Sequence, residues 1–191
     1  MATARREPSR KRDAAATRNL LLEAASDLFG THGFANVSLR DIGERAGVDA
    51  ALIARYFGNK VDLYLASLEA DRLASDIDPA QNGLDAIARR ILQRVDHHGL
   101  GPVMQAMLQP EPDSPILGSA AEYLRTWLIA PLASQSRDQG IVHPELHAEM
   151  TIAALVGIAH LRTQGLFPVL SEASLDDMMG WITRLAAADP S

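Results

Sequence analysis

The chain has 191 residues, a formal net charge of −6 and no cysteine. That length can bury a real core, as one domain or as a small domain plus a larger one. Without cysteine, a disulfide framework and a thiolate metal site are both excluded.

Alanine and leucine abound, β-branched runs are absent, and aromatic residues make up 5%. The pattern reads as all-α, with about nine helices. Charge is uneven along it: residues 1–60 hold 10 Lys+Arg against 7 Asp+Glu, and the rest hold 8 against 17. A basic head on an acidic body turns one end of the molecule toward phosphate.

Residues 1–13 carry Arg5, Arg6, Arg10, Lys11 and Arg12 and read as a flexible basic arm. Such a segment is either a plain tail or an arm that lies along phosphates or in a minor groove. No apolar run stands behind these charges, so a secretory signal is not expected. The longest nearly apolar run, residues 152–159, is far short of the ~20 residues a membrane span needs. A cytoplasmic protein with no membrane partner is the expectation. A first helix is predicted over 14–31, where Leu21, Ala24, Ala25, Leu28 and Phe29 form one buried stripe. Gly33 ends it and Phe34 packs back.

The stretch VSLRDIGERAGVDAALIARYFGNK, residues 37–60, parses as two short helices around a tight turn. Ser38 can accept from a first-turn N–H, and Asp41 adds a carboxylate where the helix dipole favours one. Leu39, Ile42 and Ala46 make an inward stripe, and Gly47 can take the positive φ that stops the helix. Asp49 then caps a second helix, 50–57, with Val48, Ile53 and either Tyr56 or Phe57 inward. Helix, glycine-bearing turn and helix over 38–57 form a helix-turn-helix, whose second helix enters a DNA major groove.

A fourth helix starts at Asn59, with Asp62 as its capping partner. Pro79 and Gly83 break the pattern, which places a boundary between a head, 14–75, and a body, 80–188. The body reads as five helices, near 84–99, 102–110, 116–138, 144–165 and 175–188. Pro131 falls inside the third and is expected to kink or break it. The fourth is apolar almost all round, which calls for burial on more than one side. A monomeric body could supply that, but self-association is the economical answer, with Ala153, Gly157, Leu161, Met178 and Ile182 on the seam.

With TRNLLLEAASDLFGTHGF upstream and NKVDLYLASLEA downstream, the head resembles the DNA-binding domain of TetR-type transcriptional regulators. The motif residues are Gly33-Phe34, Ser38, Ala46-Gly47-Val48, and Tyr56-Phe57 before Lys60. The resemblance covers about a third of the chain, and the later helices are similar, less specifically, to a C-terminal variant of the family. It implies a homodimer joined through the last two helices, a double-stranded DNA operator, and a small-molecule effector. It implies DNA contacts for Ser38, Arg40, Ala50, Ala51, Arg55, Tyr56 and Lys60. Arg40 can grip a guanine edge or be a solvated charge. Lys60 resembles the family's phosphate-binding lysine, and Tyr56 either meets a phosphate or packs. The chain departs from the family pattern at Leu52, Ile53 and Ala54, where polar contacts are common, and this leaves Arg55 as the strong polar reader on that helix.

Met104, Met107, Tyr123 and Trp127 suit a pocket for an apolar or aromatic ligand, with His160 and Arg162 as polar fixers. His143 and His147 stand four apart, but Pro144 intrudes and no metal-site spacing supports them, so no metal and no cofactor are expected. No nucleophile elbow is present, so an enzyme is not expected. A helical-bundle enzyme with an incidental head, or an architectural DNA binder without effector, are the alternatives to a ligand-responsive repressor.

Overall fold

The computed structural model describes residues 7–74, 77–108 and 115–186, and among these every regular element is a helix. α1 (Glu7–His32) starts well before residue 14, so the expected flexible arm is helical from Glu7 onward, and residues 1–6 lie outside the described residues. Pro8 falls in the first turn, where a missing N–H costs no intrahelical bond, and strong helix formers follow it. Leu21, Ala25 and Phe29 are fully buried.

α2 (Leu39–Ala46) ends at Gly47, whose φ is 68°. Gly47 N–H reaches Glu44 O, and Val48 N–H reaches Gly43 O at 3.0 Å, so the orphan carbonyls of the helix end are satisfied. A Cβ on Gly43 would sit 3.0 Å from Val48 O and from Ala50 N. The bare α-carbon of Gly43 therefore lets the start of α3 (Ala51–Phe57) close onto α2. α4 (Lys60–Ala74) is capped by Asn59, whose Oδ1 accepts from Asp62 N at 3.0 Å. Ile42, Ile53, Leu63 and Leu68 complete the head core, beside Phe29, Phe34 and Tyr64 with ring centroids 5.4–5.6 Å apart.

α5 (Pro79–His98) opens under an Asp78 cap but is interrupted at Gly83, with φ 70° and ψ −174°, so its regular part begins at Leu84. α6 (Pro102–Leu108) follows, then α7 (Leu117–Leu124), a π-helical turn (Arg125–Ile129) and α8 (Ala130–Asp138). Pro131 does not break this rod. Ala130 N–H bonds Arg125 O, and the wider turn just ahead of the proline absorbs the bond that its missing N–H cannot make. α9 (Pro144–Gln164), the short α10 (Pro168–Glu172), which sequence periodicity does not mark, and α11 (Leu175–Ala186) complete the body.

A second core holds Ile87, Leu92, Leu128, Leu132, Ile152 and Leu155 among others. The two cores do not divide cleanly along the chain. Ile116 belongs to the head cluster, and Val103, Ala106 and Tyr123 pack against it, so α6 and α7 form the seat on which the head rests. α9 buries Ala148, Ile152, Leu155, Val156 and Ala159, while Leu146, Met150, Ala153 and Ala154 face outward. Among the described residues, no helix is long and apolar enough to cross a membrane.

Candidate nucleic-acid interface and internal cavity

The start of α3 is fixed by Asp49, whose Oδ1 accepts from Ala51 N at 2.8 Å, and its inner side by fully buried Ile53. Its outer side presents Ala51, Ala54 and Arg55, with Ala50, Leu52 and Tyr56 half-buried. The Arg55 guanidinium lies 6.0 Å from the Tyr56 ring centroid. Arg40 on α2 donates from Nε to Glu44 at 2.7 Å, and both side chains are more than half exposed. Exposed pairs of this spacing contribute only roughly 0.3–0.5 kcal/mol, so Arg40 can leave Glu44 at little cost.

Ser38 is more committed than the sequence suggests. Its hydroxyl donates to Asp41 Oδ2 at 2.7 Å and accepts from Asp41 N at 3.1 Å, and Ser38 N donates to the same carboxylate at 2.8 Å. The side-chain bond first, and then the backbone one, hold the Asp41 carboxyl below its ordinary range. A hydroxyl has one proton to give, so a phosphate could take it only by displacing Asp41. Lys60 places its ammonium 4.3 Å from the Phe34 ring centroid, pinned at the start of α4. Arg18 lies 5.1 Å from the Phe57 ring centroid, a cation beside α3 that no spacing in the sequence marks.

Below the head, a cavity of about 130 Å³ opens between α4, α5, α6, the π turn and α9. Met104, Met107, Tyr123 and Trp127, four of the residues expected at a ligand pocket, line it. His160 and Arg162 do not: α9 contributes Ile152 and Val156 to the wall, and residues 160 and 162 lie a turn or more beyond. Arg162 instead bonds Asp96 at 2.8 Å and the carbonyls of Leu170 and Ala173 at 2.6 and 3.0 Å, tying α10 to α5. His160 keeps Nδ1 buried without a partner among the described residues.

The cavity borders the joint between head and body. Ser26 of α1 donates to Asp71 of α4 at 2.7 Å and accepts from Arg94 of α5 at 3.0 Å. Tyr64 donates to Pro102 O and Tyr123 to Leu68 O, both at 3.2 Å. Burial pushes both phenols above their ordinary range, so they remain donors across physiological pH. A Cβ on Gly30 would lie 2.7 Å from Gly101 Cα, so α1 approaches the α5–α6 connection closely there.

Of the residues expected on a dimer seam, Ala153 is exposed, and Gly157 and Leu161 are half-buried. Met178 and Ile182 are only 4% exposed and belong to the core of the single chain. They lie on the α11 face that meets α5 and α9, which leaves Trp181, 64% exposed, as the outward apolar side chain. Phe167 and Val169 are also outward, and the groove floored by Met178 and Ile182 runs between them. His147 Nδ1 lies 2.9 Å from Ser136 Oγ, which gives that histidine a structural partner.

Residues 21–67 match the family model described as bacterial regulatory proteins, tetR family. The transcriptional regulator BetI of Agrobacterium fabrum is 30% identical over 122 residues, 64% of this chain and 53% of its own. A helix-turn-helix transcriptional repressor of Mycobacterium tuberculosis is 37% identical over 95 residues, 50% of this chain and 47% of its own. The chain thus spans about half the length of the curated relatives it matches. Among solved structures, a complex of SmeT with triclosan superimposes with a TM-score of 0.65 at 21% identity, covering 91% of this chain and 90% of that one.

Proposed function

We propose, from the premise that the head of this chain is a TetR-type DNA-binding domain, that the protein is a ligand-responsive transcriptional regulator. In this reading it is a homodimeric repressor that a small molecule releases from a partly palindromic operator. The observation that carries the reading is the head itself. Residues 21–67 match the family, and Gly43, Gly47 and Asp49 set a short α3 whose outer side is left to solvent.

Two heads would enter successive major grooves roughly 34–36 Å apart. Arg40 reads a base edge, Arg55 reads a base or a phosphate, Lys60 holds a phosphate, and the Ala50–Ala51 surface offers methyl contact to thymine. The second copy would pack on the outward side of α9 and on Trp181, where Leu146, Met150, Ala153 and Ala154 stand exposed. The triclosan complex of SmeT, a protein of the same fold, supports reading the body cavity as an effector site. An effector there acts only if it binds the two head arrangements unequally.

The test is a binding-site selection with the wild type, Arg40→Ala and Arg55→Ala. A base reader, when lost, costs ~1–3 kcal/mol at one base pair and relaxes preference there. A phosphate contact lowers affinity evenly across sequences. Should both variants select the wild-type site with undiminished preference at every position, the assignment of readers is wrong. Should the wild type select no site at all, the regulator reading falls.

A further inference from the structure

We propose that the cavity takes a small carboxylic acid with a single aromatic or short alkyl body, held as its anion by Arg94. The inference rests on the reading of that cavity as the effector site and adds the chemistry of the effector.

The size of the cavity limits the body of the ligand. A cavity near 150 Å³ lined by aliphatic and aromatic side chains takes up benzene, and this one measures about 130 Å³. Its inner wall of Met104, Met107, Trp127, Leu128 and Val156 therefore fits one ring or a chain of similar bulk.

The charges around it specify the rest. Arg72, Arg90 and Arg94 line the cavity against a single carboxylate, Asp71, in a body whose overall balance is acidic. Placing guanidinium groups beside an apolar wall is costly unless each has an acidic partner. Arg72 has one in Glu69, at 2.8 Å from Nε. Arg94 is more secluded than Arg72, with its side chain 18% against 33% exposed, and its Nη2 stands 3.5 Å from Asp71. A well-made pair of this kind lies at about 2.7–2.9 Å. The short bond of Asp71 goes to Ser26 instead.

Arg94 thus has donors to spare, since a guanidinium carries five N–H groups. Gly101 lets its loop close directly onto Arg94, because a Cβ there would lie 2.6 Å from Arg94 Nε. Arg90 stands one helical turn earlier on the same face of α5, and among the described residues it has no acidic partner. A carboxylate entering above the ring-sized cavity meets both guanidiniums. By drawing Arg94 toward itself, it weakens the contacts of Arg94 with Ser26 and Asp71, the polar joint between α1, α4 and α5. A neutral ligand of the same shape fills the cavity but leaves that joint intact.

The experiment is calorimetric titration of the full chain with phenylacetate, 3-phenylpropionate and hexanoate, each against its amide, and with toluene. Charge-assisted hydrogen bonds predict at least one acid binding roughly ten- to hundredfold tighter than its amide. In Arg94→Gln that ratio should collapse toward one while toluene still binds as in the wild type, which also certifies the fold. Arg90→Gln should lower the ratio in part, and Arg94→Lys should restore some of it. Equal affinity of acids and amides in the wild type, or an undiminished ratio in Arg94→Gln, overturns the assignment of the anion site. If toluene, acids and amides all fail to bind, the cavity is no ligand site, and the effector reading fails with the inference built on it.

Discussion

Gly30→Ala tests the seam between head and body. In a helix, alanine is favoured over glycine by about 1 kcal/mol, so local propensity alone predicts a gain in stability. The tertiary structure predicts the opposite. The new Cβ would stand 2.7 Å from Gly101 Cα and 3.1 Å from its N and C, all backbone atoms that no rotamer change can move. Gly101 is itself held at φ 80°, which restricts how its loop can yield. Overpacking of this kind costs typically ~1–3 kcal/mol, enough to cancel or exceed the propensity gain.

Gly180→Ala serves as the control, because its Cβ would meet nothing nearer than Arg184 Nη1 at 3.7 Å, an ordinary contact. Thermal unfolding should show Gly180→Ala rising and Gly30→Ala unchanged or falling. At ~2–4 °C per kcal/mol for a chain of this size, the separation is several degrees. The same Gly30→Ala protein should bind its selected operator more weakly, because the seat of the head has shifted. If Gly30→Ala is stabilised as much as Gly180→Ala, the close approach of α1 to the α5–α6 connection is not present in solution.

Lys60→Ala should weaken binding to all DNA sequences alike and reduce the salt slope by about one; an unchanged slope would mean that Lys60 touches no phosphate. Gly157→Leu adds bulk where the protomer has open space, since a Cβ there meets nothing within 4 Å. It should leave the thermal stability of the isolated protomer near that of wild type while sedimentation shifts toward monomer, and an undisturbed dimer would remove α9 from the interface. Asp41 has a lowered folded-state pKa, so its contribution to stability is complete above the ordinary carboxylate range and lost as pH falls through the lowered value. Ser38→Ala should therefore flatten the acid limb of the stability profile, as read by unfolding at a series of pH values; an acid limb as steep as that of wild type would separate Asp41 from the cap.

The helical class, the helix-turn-helix and its caps follow from sequence because each is signalled by residues a few positions apart. Ser38 and Asp41 cap each other three residues apart, Gly47 stops α2 with a left-handed φ, and Asn59 opens α4. The apolar stripe of α1 is likewise a property of spacing alone. The cavity walls are read less directly, because methionines also fill the core, as Met178 and Met179 do, and an aromatic can face outward, as Trp181 does.

What the sequence leaves open depends on which face of a helix meets a partner far along the chain. α11 offers Met178, Trp181 and Ile182 within one amphipathic turn, and only packing against α5 and α9 buries the first and last while exposing the tryptophan. His160 and Arg162 share a helix with two wall residues but lie beyond the wall, and Arg162 is claimed by Asp96 across 66 positions. Ser26, Asp71 and Arg94 come from three helices and meet only once the head sits on α6. Propensity, capping and periodicity act over a single turn and are written locally, whereas these contacts join residues whose separation in sequence carries no spacing signal. Their identity is therefore set by how the helices pack.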